Sequence, residues 1–432
     1  MIARLQTFLN RQHLGEITFN GADDRYDLLY APVWIAQHGF PVSPHLKFAD
    51  CRPESVRRFL ANLLPEGKWL EELAVTTQIS RANTFGLSAA LGVETTGALT
   101  FQMGDTSLEP APTTFRPIAE PELTERIRTR RERSITLWDG KPRLSVAGVQ
   151  DKLPLLVLPN GEMGFGEGEL ASTHILKFGT SPEMHLVVNE YFCMELARRM
   201  KLPVAEATLV RIGEPVLMVK RFDRQWADPG KIDRLHLIDG CQMLDLPPTY
   251  KYERPFGKGG DAAVIRSGAT LSALFASCHL CRVPAVALRD LLNWVLFQLL
   301  IGNSDAHGKN ISFFVGPDGI DPAPAYDLVC LDMYGDTYDR DMAMAIGDTF
   351  DPNDIMTYQL AYMCEECRLP QRQVARSLTT LCRNLLDQLE DLDLSARLTD
   401  DELSFSVSLV EKIRTNARNY LEYARELPHV VV

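Results

Sequence analysis

The sequence predicts an α+β fold, and three observations lead to this class. Short strand-like segments with turn signals alternate with a few helical patterns up to about residue 222, whereas helical patterns dominate the rest. A chain of 432 residues is too long for one compact core. We therefore expect an α+β amino-terminal subdomain over residues 1–105, a β-rich lobe over 106–222 and a mostly helical lobe over 223–432.

The individual elements follow from local patterns. Segments such as L-G-E-I-T-F and Y-D-L-L-Y-A, with Asn20-Gly21 as a turn signal, predict a small antiparallel sheet at the amino terminus. The prolines between residues 108 and 121 mark the first domain boundary. Apolar residues recur at helical spacing in the second half and predict helices over residues 270–278, 286–301, 360–369, 371–389 and 400–427.

Composition limits the classes of protein and compartment. The net charge of −12 disfavours nucleic-acid binding by the chain alone. Nine scattered cysteines favour reduced thiols, and two C-x-x-C pairs, Cys278/Cys281 and Cys364/Cys367, lie in helical patterns without the turn glycines of a zinc knuckle. The first ten residues lack the hydrophobic core of a secretory signal, and no unbroken apolar run approaches about 18 residues. We expect a cytoplasmic protein without a membrane span.

A polar loop between two apolar runs is the most informative stretch. The run Leu291–Ile301 ends at Gly302, and a second apolar run begins at Ile311. The residues between them, G-N-S-D-A-H-G-K-N, offer a carboxylate at Asp305, an imidazole at His307, an ammonium at Lys309 and a carboxamide at Asn310. An ordinary helix-to-strand turn is one interpretation of this loop.

Phosphoryl transfer is the other interpretation of this loop. It needs a carboxylate near the attacking hydroxyl and oxygen ligands for Mg²⁺. The separation of Asp305 and Asn310 equals that of the catalytic aspartate and the metal-binding asparagine in the protein-kinase motif H-R-D-x-x-x-x-N. A predicted hairpin brings the carboxylate of Asp327 back to this loop, where a second Mg²⁺ ligand would have to lie. Where protein kinases have the triplet D-F-G, this chain has D-L-V, which lacks the glycine but keeps the carboxylate.

Other segments fit a nucleotide site of the same kind. Leu144–Val157 predicts two strands joined by small residues, although a plain hairpin fits as well and the Walker A pattern is absent. Lys177 lies in the strand T-H-I-L-K-F, where its ammonium needs an anion, either a phosphate or the carboxylate of Glu190 on the following helix. Lys220–Phe222 would link the two lobes, where kinases bind adenine through backbone groups. Together these features predict a bilobal, protein-kinase-like fold.

The ordered set of motifs resembles the HipA family, serine/threonine kinases that act as toxins of bacterial toxin–antitoxin pairs. The resemblance covers nearly the whole chain. It rests on the motifs N-L-L-P-E-G, S-V-A-G-V-Q-D-K, T-H-I-L-K, N-E-Y-F-C, V-K-R-F-D-R, K-Y-E, G-N-S-D-A-H-G-K-N and Y-D-L.

The resemblance implies a role for each matching residue. Asp305 would be the catalytic base, Asn310 and Asp327 the Mg²⁺ ligands, and Ser145 the site of an autophosphorylation that ejects its loop and inactivates the kinase. Glu190 would support Lys177. Where family members carry an acidic residue at the start of the hinge, this chain has Lys220. The residues implied in ATP binding are Ala147, Gly148, Val149, Gln150, Asp151, Lys152, Lys177, Lys220, Arg221, Phe222, His307, Gly308, Lys309, Asn310, Tyr326 and Asp327.

The resemblance also implies partners. These are a small HipB-like helix-turn-helix antitoxin, operator DNA contacted mainly through the antitoxin complex, and a protein substrate. Family members phosphorylate aminoacyl-tRNA synthetases, so an enzyme of that class is one candidate acceptor. The acidic net charge fits a protein that reaches DNA through a basic partner. Two alternatives remain open at this point, a small-molecule phosphotransferase and a catalytically inert corepressor.

Overall fold

A computed structural model describes residues 2–37, 39–92, 94–104, 112–143, 151–179, 181 and 184–432. The predicted autophosphorylation site Ser145 and the predicted ATP-loop residues Ala147, Gly148, Val149 and Gln150 lie outside the described residues. Within the described residues the chain contains both sheets and helices. The predicted α+β class is confirmed.

The strands of the described residues are short, and most of them precede residue 240. In chain order they are β1 Ile2–Leu9, β2 Gln12–Asn20, β3 Arg25–Tyr30, β4 Leu46–Lys47, β5 Asp50–Cys51, β6 Leu99–Met103, β7 Thr114–Pro117, β8 Leu137–Trp138, β9 Lys141–Pro142, β10 Lys152–Val157, β11 Met163–Glu167, β12 His174–Phe178, β13 Ala207–Ile212, β14 Glu214–Lys220, β15 Arg224–Asp228, β16 Lys231–Arg234, β17 Leu237–Asp239, β18 Ser312–Gly316 and β19 Gly319–Pro322.

The long helices follow residue 180, as the patterns predict. In chain order the helices of the described residues are α1 Pro32–Ala36, α2 Pro53–Leu63, α3 Lys68–Thr77, α4 Thr84–Leu91, α5 Glu120–Arg128, α6 Leu186–Arg199, α7 Gly240–Met243, α8 Leu271–Ser277, α9 Pro284–Ile301, α10 Thr357–Glu366, α11 Gln371–Asp391 and α12 Asp400–Glu426. Each of the five helices predicted after residue 270 is present as one of α8 to α12.

Contacts divide the chain into two compact units. The first unit comprises Met1–Phe178, Val210–Pro248 and Phe313–Ile320, and the second comprises Gly179–Leu209, Thr249–Ser312 and Asp321–Val432. The boundaries that we place at residues 105 and 222 stay predictions.

Two antiparallel sheets organise the first unit. Strands β3, β2, β1 and β6 form a four-stranded sheet in that order, and helix α2 packs against β3. Strands β13, β14, β12, β10, β11 and β7 form a six-stranded sheet. The apolar side chains Leu153, Leu155, Leu176, Phe178 and Val216 of this second sheet share one buried cluster. The apolar face fixes the register of β10 against β12, because a slip by one residue would place Lys152 or Lys177 on that face.

Helix α9 is the central helix of the second unit. Its apolar residues surround most of the helix rather than forming a single stripe, and all residues from Trp294 to Ile301 are buried. Such a helix belongs in the interior of a large domain. Among the described residues it is the one helix long and apolar enough to cross a membrane by length and composition, and most of it is buried inside the protein. Helices α11 and α12 pack against each other and against α9.

Candidate active site

The predicted catalytic loop begins where α9 ends. Gly302 closes the helix in the left-handed region with φ of 72°, a conformation that favours glycine. A Cβ atom at this position would also lie 3.0 Å from the Cβ of Asp332, so a larger residue would require Asp332 to shift. The N–H of Asn303 then donates to the carbonyl of Gln298 at 2.9 Å, which directs the chain out of the helix.

Within this loop, exposure differs sharply between Asp305 and its neighbours. All other residues from Asn303 to Asn310 are buried, whereas Asp305 is exposed. A carboxylate that is presented to solvent by an otherwise buried loop is available to a reactant, while its backbone is fixed by packing. The side chain of Asn303 contributes to this rigidity, because its Oδ1 accepts the N–H of Asp305 at 3.2 Å and its Nδ2 donates to Gln298 at 2.8 Å.

His307 stabilises the turn that carries Lys309 and Asn310. Its Nδ1 accepts the N–H of Lys309 at 3.2 Å, and its own N–H donates to Oδ1 of Asn310 at 3.2 Å. These two bonds cap the 3₁₀ turn Gly308–Asn310. From the sequence, contact with nucleotide and a purely structural role are equally good interpretations of His307. The geometry gives a physical basis for the structural role, and the contact with nucleotide stays a prediction.

Asn310 and Asp327 meet in the folded chain, as the predicted hairpin requires. The Nδ2 of Asn310 donates to Oδ2 of Asp327 at 2.7 Å. Asp327 has φ of 60°, a left-handed conformation that aspartate and asparagine tolerate better than most residues and that tends to occur at functional sites. Nδ2 of Asn303 donates to the carbonyl of Asp327 at 3.3 Å and helps to hold this conformation.

The pair of Asn310 and Asp327 suits Mg²⁺ by its chemistry. Carboxylate and carboxamide oxygens are hard ligands, and Mg²⁺ in phosphoryl-transfer sites takes one or two protein oxygens and completes its shell with water and phosphate. Within the described part of the chain, no group of three or more His, Cys, Asp or Glu residues could form a denser metal cage. The residues present therefore fit a magnesium ion that is shared with a phosphate ligand.

Tyr326 supports the region of the two predicted metal ligands. Its hydroxyl donates to the carbonyl of Lys309 at 2.7 Å and lies 2.7 Å from the hydroxyl of Ser312. The tyrosine thus ties the segment of Asp327 to the turn of Asn310. Its predicted contact with nucleotide stays a prediction, and the hydroxyl has a clear structural function.

The predicted phosphate-binding lysines lie in the first unit. Lys152 on β10 lies directly opposite Lys177 on β12, and both side chains are buried. Directly opposite residues on neighbouring antiparallel strands share a face, and two like charges at such positions repel each other. Binding of phosphate by these two lysines stays a prediction. Glu190 is buried on α6 of the second unit, and its predicted pairing with Lys177 stays a prediction.

The base of the predicted ATP loop is held by two cations. Asp151, which directly precedes β10, pairs with Lys68 at the start of α3. Nε of Arg130 lies 3.9 Å from the same carboxylate and the Arg130 side chain pairs with Glu214 at 2.7 Å. Asp151 therefore has a structural role in fixing the start of β10, in addition to its predicted role near ATP.

The predicted adenine hinge has an unexpected side-chain environment. The N–H of Arg221 donates to the carbonyl of Thr173 at 2.8 Å, so this donor continues the sheet. The guanidinium of Arg221 is buried and donates to Asp223 through Nε at 2.9 Å and Nη2 at 2.8 Å. Lys220 is exposed, and the ring of Phe222 contacts Phe314 edge to face at 5.8 Å. Contact of Lys220, Arg221 and Phe222 with adenine stays a prediction.

The four cysteines of the C-x-x-C pairs are buried thiols. Burial raises the pKa of Cys281 to about 11 and the pKa of Cys278, Cys364 and Cys367 to about 12. Thiols with such pKa values are protonated at neutral pH and are poor nucleophiles. The four side chains therefore contribute to the apolar interior.

Tyr252 is the residue of this region to which the sequence assigned no role. Its hydroxyl donates to Oδ1 of Asp305 at 2.8 Å. The residue belongs to the motif K-Y-E in a loop rich in glycine, lysine and proline, a composition that gives no indication of contact with Asp305. That motif, which also contributes to the resemblance, was the signal that could have identified it.

Comparison with known proteins decides the family. The model of the HipA N-terminal domain matches residues 5–102, and the model of the HipA-like C-terminal domain matches residues 144–389. The chain belongs to the HipA family. It is 41% identical over 434 residues to the serine/threonine-protein kinase toxin HipA of Shewanella oneidensis, which covers 99% of this chain and 98% of the relative. A putative kinase of Sinorhizobium fredii is 34% identical over 354 residues, covering 77% of this chain and 79% of the relative.

A solved HipA structure extends this match to three dimensions. The S. oneidensis HipA chain, determined with HipB and its operator DNA, superposes with a TM-score of 0.88 at 39% identity. The match covers 99% of this chain and 100% of that chain. The predicted HipA-like, protein-kinase-like fold is confirmed, and the enzyme class of the family is serine/threonine-protein kinase.

Proposed function

We propose that this HipA-family chain transfers the γ-phosphoryl group of ATP to a serine or threonine hydroxyl of a protein, with Asp305 as the catalytic base. The observation that carries the proposal is the exposure of Asp305 in a loop whose other residues from Asn303 to Asn310 are buried. The hydrogen-bonded pair of Asn310 and Asp327, 2.7 Å apart, supports it. Base and metal ligands thus come from one rigid region of the second unit.

In the proposed step, a carboxylate oxygen of Asp305 accepts the proton of the acceptor hydroxyl. The hydroxyl oxygen forms a bond to the γ-phosphorus while the bond from that phosphorus to the bridging oxygen breaks, and ADP leaves. Asp305 then returns its proton to solvent. Asn310 and Asp327 would hold Mg²⁺, which supplies positive charge to the phosphate oxygens when it is bound. The protein contributes mainly position and charge, as in other phosphoryl transfers.

The nucleotide contacts belong to the same proposal. Lys177 and Lys152, buried and directly opposite each other, would bind phosphate oxygens. Residues 147–152 would cover the phosphates and Lys220–Phe222 would contact adenine. His307, Gly308, Lys309 and Tyr326 would complete the site. The division into residues 1–105, 106–222 and 223–432 is part of this proposal, with the amino-terminal subdomain supporting the lobe that follows it.

The proposal extends to regulation and partners. The solved relative is a complex of HipA, HipB and operator DNA. We propose a HipB-like antitoxin for this chain as well, with operator DNA contacted mainly through that partner, because the chain carries a net charge of −12. Autophosphorylation at Ser145 would inactivate the kinase. The acceptor is a cytoplasmic protein, and an aminoacyl-tRNA synthetase is one candidate.

The proposal can be tested by phosphoproteomics of cells that briefly express the chain or its Asp305→Asn variant. We expect serine or threonine sites on a small set of proteins that gain phosphate only with the wild type. A second arm incubates both proteins with a lysate and labelled ATP. Label that enters only small molecules would identify a small-molecule phosphotransferase. ATP binding without transfer to any acceptor would identify an inert corepressor.

A further inference from the structure

The segment Lys251–Glu253 is held firmly on both sides of an exposed tyrosine. The carbonyl of Lys251 accepts the N–H of Gly308 at 2.9 Å, and the N–H of Glu253 donates to the carbonyl of Ala343 at 2.9 Å. The buried carboxylate of Glu253 accepts the N–H of Ala345 at 2.7 Å and pairs with Arg266 at 2.5 Å. Lys251 and Glu253 are buried, whereas Tyr252 keeps 36% of its surface exposed.

The ring of Tyr252 is also fixed by its neighbours. It meets the imidazole of His307 edge to face, with 5.2 Å between centroids and 86° between planes. Nζ of Lys251 lies 5.3 Å from the ring centroid. The hydroxyl therefore has a defined position, from which it donates to Oδ1 of Asp305 at 2.8 Å. A rigid donor of this kind selects one orientation of a carboxylate that is otherwise exposed.

We propose that Tyr252 is a positioning residue for Asp305. Its hydroxyl holds the Asp305 carboxylate in one orientation while that carboxylate accepts the proton of the acceptor hydroxyl. The inference rests on the proposed role of Asp305 as the base. The physical reason for the effect is that a base must lie in a defined geometry relative to the proton it accepts, and small displacements reduce the rate strongly.

The test compares Tyr252→Phe with the wild type under saturating Mg²⁺. The substitution keeps the ring contacts with His307 and Lys251 and removes only the hydroxyl. We expect kcat to fall about 10- to 100-fold, with KM for ATP unchanged, because the lost bond orients the base. Tyr250→Phe is the matched control, since the ring of Tyr250 packs on Phe256 at 5.8 Å. This control should keep the wild-type kcat.

The pH profile separates positioning from a loss of folded protein. An ionised carboxylate that loses a hydrogen-bond donor becomes easier to protonate, so the acid limb of kcat should move to higher pH in Tyr252→Phe. A smaller folded fraction lowers kcat without moving this limb. The charged and titratable groups of the segments that carry Tyr252 and Asp305 are the same in the wild type, Tyr252→Phe and Tyr250→Phe, so they cannot cause a difference between the three proteins. These groups are Lys251, Glu253, His307, Lys309 and Asp327.

The outcomes distinguish this inference from the function on which it rests. Absence of phosphoryl transfer in the wild type would contradict the proposed function. An active wild type with an unchanged or faster Tyr252→Phe variant would overturn the inference, since a faster variant would show that the hydroxyl blocks Asp305. A slower variant with an unmoved acid limb would also overturn it, because the tyrosine would then act only on folding.

Discussion

Charged residues are used in opposite ways in the two units of the molecule. In the first unit, the Asp223 carboxylate is buried and accepts hydrogen bonds from Arg221, Arg224 and the N–H of Gly97. In the second unit, Asp305 is exposed and accepts from the neutral hydroxyl of Tyr252. The guanidinium groups neutralise the charge of Asp223, so this carboxylate contributes to stability. A neutral hydroxyl does not neutralise the charge of Asp305, so that carboxylate can still attract a cation or accept a proton.

The pKa values of the buried cluster of Asp223, Arg221 and Arg224 show how strongly these charges depend on one another. Burial alone would raise the pKa of Asp223, but the charges of Arg221 and Arg224 outweigh it and hold that pKa well below its usual value. Burial and the charge of Arg221 lower the pKa of Arg224 to about 9. The cluster therefore stays ionised near neutral pH, and its members depend on each other. Removal of one partner would leave an uncompensated charge in the interior.

The largest effect is expected from Asp223→Ala. The change leaves two buried guanidinium groups without their shared carboxylate, so we expect a loss of about 3–5 kcal/mol in the free energy of unfolding. Denaturant titration at neutral pH measures it. Asp228→Ala, on the exposed end of β15, is the matched control and should lose less than about 0.5 kcal/mol. Equal stability of the two variants would contradict the claim that the Asp223 carboxylate stabilises the first unit.

Asp327→Asn tests the proposed role of the carboxylates of the second unit. It should change the rate of phosphoryl transfer rather than the free energy of unfolding. Asparagine tolerates the left-handed backbone at this position, so the fold is preserved. One of the two predicted Mg²⁺ ligands loses its charge, and we expect kcat to fall about 100-fold or more, with a higher Mg²⁺ requirement. Asp332→Asn is the control, since Asp332 forms a partly exposed pair with Lys412 at 2.6 Å. A variant as active as this control would contradict the assignment of Asp327.

His236 gives a smaller, pH-dependent effect in the first unit. Burial lowers its pKa to about 4, and Nε2 donates to the carbonyl of Val42 at 2.8 Å. In the unfolded chain this histidine has a pKa of about 6.5. The contribution of His236 to the free energy of unfolding is therefore fully present above that pH and is lost as the pH falls towards 4. Between about pH 7.5 and pH 5 the wild type should lose about 2 kcal/mol through this group.

The measurement for His236 is denaturant titration at both pH values. His236→Gln should lose less stability over this interval than the wild type, because glutamine does not titrate. His429→Gln, at an exposed position near the carboxyl terminus, should behave like the wild type. An identical pH dependence in all three proteins would show that the pKa of His236 is the same in the folded and the unfolded chain, which would contradict the lowered pKa.

Local sequence predicted the end of α9 and the approach of Asn310 to Asp327, because the determinants of both are local. Gly302 ends a strongly apolar helix, and Asn310 and Asp327 are joined by a short hairpin, so their approach to 2.7 Å follows from chain connectivity. The role of each of these residues remains a prediction until activity is measured.

The contacts that sequence could not predict join distant segments. Tyr252 reaches Asp305 from 53 residues away, and no periodicity links the two. The segment V-K-R-F-D-R predicts a link between lobes. Burial of its last residue, Arg224, depends on the carbonyls of Thr95 and Gly97, which accept hydrogen bonds from the guanidinium. A charged residue in a sequence gives no sign of whether a distant backbone group will compensate its burial.

The most direct test of the central claim is an intact-mass measurement after incubation with ATP and Mg²⁺, on the wild type and on Asp305→Asn with equal thermal stability. We predict a gain of roughly 80 Da, one phosphoryl group, in the wild type and no gain in the variant. A wild type without any gain, or a variant that gains phosphate at the wild-type rate, would contradict the assignment of Asp305 as the base of a phosphoryl-transfer site.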